Sequence, residues 1–220
     1  MTSEQYKLIY FNVKGLAETS RILFALGNIK YKDFRFPFNI IDSKNHIYEK
    51  KEFEKIKNEG KLKISMNKLP ILEITTSDGK RHYIPQSKSI ERYIAKKCNL
   101  MGSNEIEEAR VDAICECIRD IKERYKMHED KESYFEDMFE NELNLLVDVF
   151  DKDKLYCVGD KLSLADVLLY TFITQYFTED NKNRSLDISS NNYRIRNIVI
   201  KVAECPEVIE WLNKRPDTVF

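Results

Sequence analysis

Hydrophobic and polar positions divide the chain into two stretches of different rhythm. In the first, short strand-like runs alternate with amphipathic ones. Residues 7–11 form a strand-like run, and Lys14-Gly15 break it. Residues 17–27 then place Ile22, Leu23 and Leu26 along one side of a helix that Gly27 stops. Residues 31–36 alternate as a second strand. Residues 39–68 are polar and lysine-rich, and predict a helix around 48–57 with loops on either side. Residues 69–74 predict a strand opened by Pro70. Ser77-Asp78-Gly79-Lys80 supply a hairpin turn, and 82–84 the returning strand. A helix over 86–98 carries Ile90, Tyr93, Ile94 and Cys98 on one side. The order β-α-β, α, β-β-α is a parallel unit joined to a hairpin with a covering helix.

Beyond 99–103 the strand signals stop. Val111, Ile114, Ile118, Ile121 and Tyr125 form the seam of one long helix. Tyr134, Met138, Leu145 and Val149 predict a second. Ser163-Leu164-Ala165-Asp166 has the form of a capping box and opens a buried helix over 164–177. Shorter helices are predicted over 192–203 and 206–214. The fold class is thus α/β plus all-α, divided as residues 1–98 and 104–220.

Charge sharpens that division. The whole chain of 220 residues has a net charge of -1. Residues 1–98, however, carry 20 basic and 11 acidic side chains, net +9, and the remainder is net -10. Such halves have different partners or face one another. The near-zero sum gives no basic excess for nucleic acid. No apolar run reaches the roughly 18–20 residues of a membrane span. The polar start MTSEQYKL lacks a signal core and points to the cytoplasm. The five cysteines include no C-x-x-C and no zinc spacing, and read as reduced thiols.

Few residues are left for chemistry. There is no Gly-rich phosphate loop, no G-x-S-x-G and no H-E-x-x-H. His46, His82 and His128 all stand in charged or turn contexts. Tyr10 ends the first strand just before the first helix, where open α/β sheets bind ligands. Its hydroxyl can donate to an anion and, with the helix dipole, favour a bound thiolate over a thiol of ordinary pKa about 8.5. On spacing alone, a rim or core aromatic is the better explanation.

Tyr10-Phe11-Asn12, Gly15, Ala17-Glu18 and Arg21, then Lys68-Leu69-Pro70-Ile71-Leu72, then Gln86-Ser87-Lys88-Ser89-Ile90 with Arg92-Tyr93, resemble the cytosolic glutathione transferases. The sigma class, which includes glutathione-dependent prostaglandin D isomerases, is the nearest pattern. The likeness runs on through Val111-Asp112-Ala113-Ile114 and Ser163–Asp166 to Arg215-Pro216. It implies a thioredoxin-like N-terminal domain followed by an all-helical one. It also implies a cytoplasmic homodimer that conjugates glutathione, its co-substrate, to small hydrophobic electrophiles without a metal, a membrane or nucleic acid.

By the same resemblance Tyr10 is the catalytic tyrosine. Leu69 pairs its backbone with the tripeptide's cysteine beside a cis Pro70. Gln86 and Ser87 hold the γ-glutamyl end, and Ser87 also suits a helix N-cap. Lys68, and more loosely Phe53 and Lys57, belong to the glycine end. Asp120 reaches the glutathione bound to the other subunit. The electrophile wall is expected near Val13, Arg124 and Phe220. Leu16 stands where the sigma pattern has an arginine, which tells against isomerase activity more than against glutathione binding; Lys14 is the nearest cation in sequence. A non-catalytic carrier of the same fold is the alternative. A thiol–disulfide oxidoreductase would need a cysteine near Tyr10, and Cys98 is the nearest in sequence.

Overall fold

A computed structural model describes residues 4–42 and 47–218, without the side chains of 179 and 180. Strand β1 (Gln5–Phe11) is central. It pairs in parallel with β2 (Tyr31–Phe36) and antiparallel with β5 (Ile71–Thr75), which pairs antiparallel with β6 (Arg81–Pro85). The sheet order is β2-β1-β5-β6. Helix α1 (Glu18–Leu26) makes the β1–β2 crossover, and α3 (Ser87–Lys97) lies against it.

The period of two along β1 decides which residues enter which core. Tyr6, Leu8 and Tyr10 face the α1–α3 side and join the main core. Ile9 and Phe11 face the other side. There α2 (Lys51–Asn58) closes a smaller cluster of Phe36, Phe53, Leu62 and Ile71. The lysine-rich stretch also contains a two-stranded hairpin, β3 (Asn39–Asp42) and β4 (Ile47–Glu49), where loops were expected. Its strands are short, and Ile41 and Ile47 remain exposed, so no buried face marked them.

The second stretch is helical. Helix α4 (Glu105–Met127) buries Val111, Ile114, Ile118 and Ile121 as its spacing predicts. A short α5 (Lys131–Ser133) passes through one π turn (Tyr134–Met138) into α6 (Phe139–Asp148). Tyr134 is buried and Met138 half-buried as expected, but the seam then breaks. Leu145 and Val149 are exposed, and the buried face is Phe139, Leu143 and Leu146. A π turn shifts the phase of all that follows, and no 3–4 spacing anticipates it. Helix α7 (Leu164–Gln175) carries both halves of its capping box and is nearly all buried. Helix α8 (Glu179–Asn191), absent from the sequence reading, presents small Ser185 and Ser189 to the core in place of an apolar stripe. Helices α9 (Tyr193–Ala203) and α10 (Pro206–Lys214) fall where predicted.

The two stretches share the main core. The Leu164 N–H donates to Leu100 O at 2.7 Å, tying the linker to α7. Thr19 and Thr171 meet at 3.0 Å in the interior.

Candidate active site

Strand register collects three of the quoted motifs at one rim of the sheet. Ile9 stands opposite Ile71, and Ile71 opposite Pro85. Tyr10 comes next after Ile9, Leu69-Pro70 just before Ile71, and Gln86-Ser87 just after Pro85, so all three leave the sheet at the same end.

Tyr10 is 8% exposed, its ring edge-on to Phe11 with centroids 5.5 Å apart. Its hydroxyl oxygen accepts the Leu16 N–H at 3.2 Å. That donor sits in the tight turn Gly15–Ala17, which doubles back over the ring. Gly15 has φ +42, and a Cβ there would lie 2.8 Å from the Tyr10 hydroxyl, so only glycine permits this approach. Burial raises the Tyr10 pKa, against the Leu16 N–H and the Arg21 charge, which lower it. The phenol therefore stays protonated near neutrality. The hydroxyl thus accepts from Leu16 and keeps its own proton to donate.

The Leu69–Pro70 peptide is cis, as the resemblance implied. A left-handed pair, Met66 and Asn67, leads into it past the exposed Lys68. Gln86, not Ser87, takes the N-cap position of α3. It has φ +73, and no side chain caps the helix. The first helical bond runs from the Ile90 N–H to Gln86 O. The leading amides of an 11-residue helix thus meet no capping side chain, an arrangement that suits a carboxylate.

Phe53 is 6% exposed and packs on Phe11 and Phe36, with centroids 5.0 and 6.2 Å away. Its ring belongs to the second core. Lys57 is exposed in the last turn of α2. Asp120 is exposed on α4, in a groove with Cys117, Arg124 and Leu145. Arg124 is turned to Glu142, which also accepts the Tyr134 hydroxyl, and Val13 is buried. Neither side chain forms an open wall beside Tyr10. His46 and Phe220 lie outside the described residues. Among the described residues no three metal-ligating side chains converge, and no helix is long and apolar enough to cross a membrane.

Residues 112–215 match the C-terminal domain of glutathione S-transferases. A hematopoietic prostaglandin D synthase from Gallus gallus is 33% identical over 222 residues, 98% of each chain. The chain belongs to the glutathione S-transferase family. It is a transferase that conjugates glutathione. Glutathione S-transferase 3 of Caenorhabditis elegans is 27% identical, over 98% of this chain and 99% of that one. A monomeric glutathione S-transferase from the hookworm Necator americanus superposes with a TM-score of 0.75 at 29% identity, covering 98% of this chain and all of the other. Rat hematopoietic prostaglandin D synthase, solved with a quinoline, gives 0.73 at 27%, with the same coverage.

Within this family fold, two features of the site were invisible in the sequence. One is the Leu16 backbone donor on Tyr10. The other is the left-handed Gln86, whose conformation is costly for a residue with a Cβ and persists where surroundings over-determine it. Gly15 was visible as a strand breaker and as part of the family pattern, but not as the residue that lets the turn approach the Tyr10 ring.

Proposed function

We propose that Tyr10, Leu69-Pro70 and Gln86-Ser87 hold glutathione at the sheet rim, and that Tyr10 donates its hydroxyl proton to the glutathione sulfur. The observation that carries this is the Leu16 N–H on the Tyr10 oxygen, which fixes a buried, protonated phenol with its proton free to donate. A thiol of pKa about 8.5 is only a few per cent ionised at pH 7. A hydrogen bond to the charged form is worth about 1.5–3 kcal/mol, enough to lower that pKa by roughly one to two units. The thiol proton leaves to solvent, Tyr10 keeps its own proton in the hydrogen bond, and the thiolate then attacks the electrophile. The new S–C bond takes the sulfur's electron pair, and the leaving group departs with its own. Stabilised thiolate and fixed position are the two catalytic contributions.

The γ-glutamyl carboxylate sits on the α3 N-terminus, and the cysteine portion pairs with the Leu69 backbone. The glycine end falls toward Lys68 and Lys57. Residues 1–98 bind glutathione, and residues 104–220 supply the wall for the electrophile. The working unit is a cytoplasmic, sigma-like homodimer in which Asp120 of the partner subunit meets the glutathione ammonium. The relatives' names favour prostaglandin D isomerisation as a second activity, while Leu16 argues against it.

Tyr10→Phe tests the core of this reading. It keeps the ring and removes only the donor. Conjugation of an activated aryl halide should slow roughly tenfold to a hundredfold, with glutathione affinity largely kept. An unchanged rate and pH midpoint would remove Tyr10 from the reaction.

A further inference from the structure

Glu18, Arg21 and Arg215 belong to the quoted pattern, yet none is needed to hold glutathione. We propose that Trp211 and Arg215, at the far end of the chain, are positioning residues for Tyr10, acting through Glu18 and Arg21. This rests on the reading of Tyr10 as the thiolate's donor.

The path is continuous. Arg21 is fully buried on α1, its guanidinium 6.0 Å from the centre of the Tyr10 ring. It donates to Val13 O at 2.7 Å and Lys14 O at 3.3 Å, and pairs with Asp33 at 3.2 Å. It therefore clamps the carbonyls just before Gly15 and Leu16, the turn that contacts the Tyr10 hydroxyl. Arg21 is itself held by Glu18 Oε2 at 3.2 Å. The other oxygen of that carboxylate, Oε1, accepts Trp211 Nε1 at 2.9 Å and Arg215 Nη1 at 2.7 Å. Glu18 is 2% exposed. Arg215 is fixed in turn by Gln175 at 3.1 Å. Removing a donor from Oε1 frees the carboxylate to swing, Arg21 follows it, and the Leu16 N–H loses its aim.

A plain tether between the two halves would have the same contacts, so the test must read Tyr10 itself. Arg215→Met and Trp211→Phe are each made in the parent chain and in Tyr10→Phe. Two quantities are measured below the unfolding temperature: the rate with saturating glutathione and an aryl halide, and the ultraviolet absorbance of bound thiolate against pH. In the parent, kcat should fall about threefold to tenfold and the thiolate midpoint should rise, with glutathione KM within about twofold. In Tyr10→Phe the same substitutions should change neither by more than about twofold, because the group they position is gone. Arg215→Lys, which keeps a donor for Glu18, should recover part of the midpoint. Equal losses in both backgrounds would make the network a tether only, and no loss in the parent would overturn the proposal outright. If Arg215→Met does not fold, Trp211→Phe completes the same cycle, since it keeps an aromatic ring and deletes only the indole N–H. Failure of the Tyr10 reading shows separately, as an unchanged midpoint in Tyr10→Phe alone, and takes this inference with it.

Discussion

Gly15→Ala places a single methyl group between a backbone effect and a catalytic one. Gly15 has φ +42, and in that left-handed region an L residue costs about 1–2 kcal/mol. The new Cβ would stand 2.8 Å from the Tyr10 hydroxyl, 3.1 Å from Cε1 and 3.4 Å from Cζ. Comfortable separations are about 3.5 Å or more, so the ring must withdraw by roughly half an ångström. It has little room, being buried against Phe11. A hydroxyl displaced that far also leaves the Leu16 N–H, whose 3.2 Å bond is already near the limit of useful geometry. Since a 1 Å misplacement can cost about a hundredfold, half of that predicts a loss near tenfold in kcat, or about 1.4 kcal/mol. Gly79→Ala is the control. Gly79 has φ +82 with nothing within 4 Å, so it carries a similar backbone cost and no contact. Both variants should lose about 1–2 kcal/mol in urea unfolding from the backbone, and Gly15→Ala more because of its contact. Only Gly15→Ala should lose conjugation rate and raise the thiolate midpoint. If both lose stability and neither loses rate, the Tyr10 hydroxyl is not the reacting donor in this position.

Leu16→Arg should move the thiolate midpoint downward, by less than about one pH unit, because Leu16 is 57% exposed and a cation there is screened; no shift, or a rise, in the ultraviolet titration would show that the side chain does not face the sulfur. Burial alone would raise the Glu18 carboxyl, but the Trp211 N–H, Arg21 and Arg215 outweigh it and hold it below the ordinary value. Its contribution to stability is therefore fully present above the ordinary carboxylate range and is lost as pH falls through the lower folded value. Glu18→Gln should flatten that acid-side loss in urea midpoints, and an unaltered acid slope would contradict it. Asp120→Ala should raise glutathione KM by at most about tenfold for an exposed pair. Mixed with Tyr10→Phe subunits, it should yield heterodimers whose fast, Tyr10-bearing site has the parent KM; a raised KM at that fast site would place Asp120 in cis, and an unchanged KM in Asp120→Ala itself would place it outside the site.

Sequence pattern conveyed most where one local rule was enough. Residues 31–36 alternate and form β2, Pro206 opens α10, and Ser163 with Asp166 opens α7. It failed where burial did not follow an apolar period. Helix α8 buries serines, the π turn rotates α6, and the β3–β4 hairpin buries little. The site divides in the same way. Spacing favoured a rim or core aromatic at Tyr10, and resemblance alone joined it to Pro70 and Gln86. At Phe53 resemblance and packing meet in one residue, because an aromatic at that place in sequence is equally what a second core requires.

The charge asymmetry between the halves was legible, but not the copy on which it would be satisfied. Charge alone left open whether the halves meet within one molecule or between two. Within one chain, Lys88 pairs with Glu116 at 2.7 Å, Arg92 with Asp112 and Glu116 at 2.5 Å each, and Arg119 with Glu91. These contacts spend much of the acidic row of α4 on α3 of the same molecule. Asp112 and Glu116 are thus paired within one molecule, and Asp120 remains the exposed member of that row. A sequence records that opposite charges exist in two regions, whereas the side chain each one meets depends on which helices the core brings within about 4 Å. The same holds for Glu18, whose indole donor lies 193 residues away and comes into reach only once α10 has packed against α1.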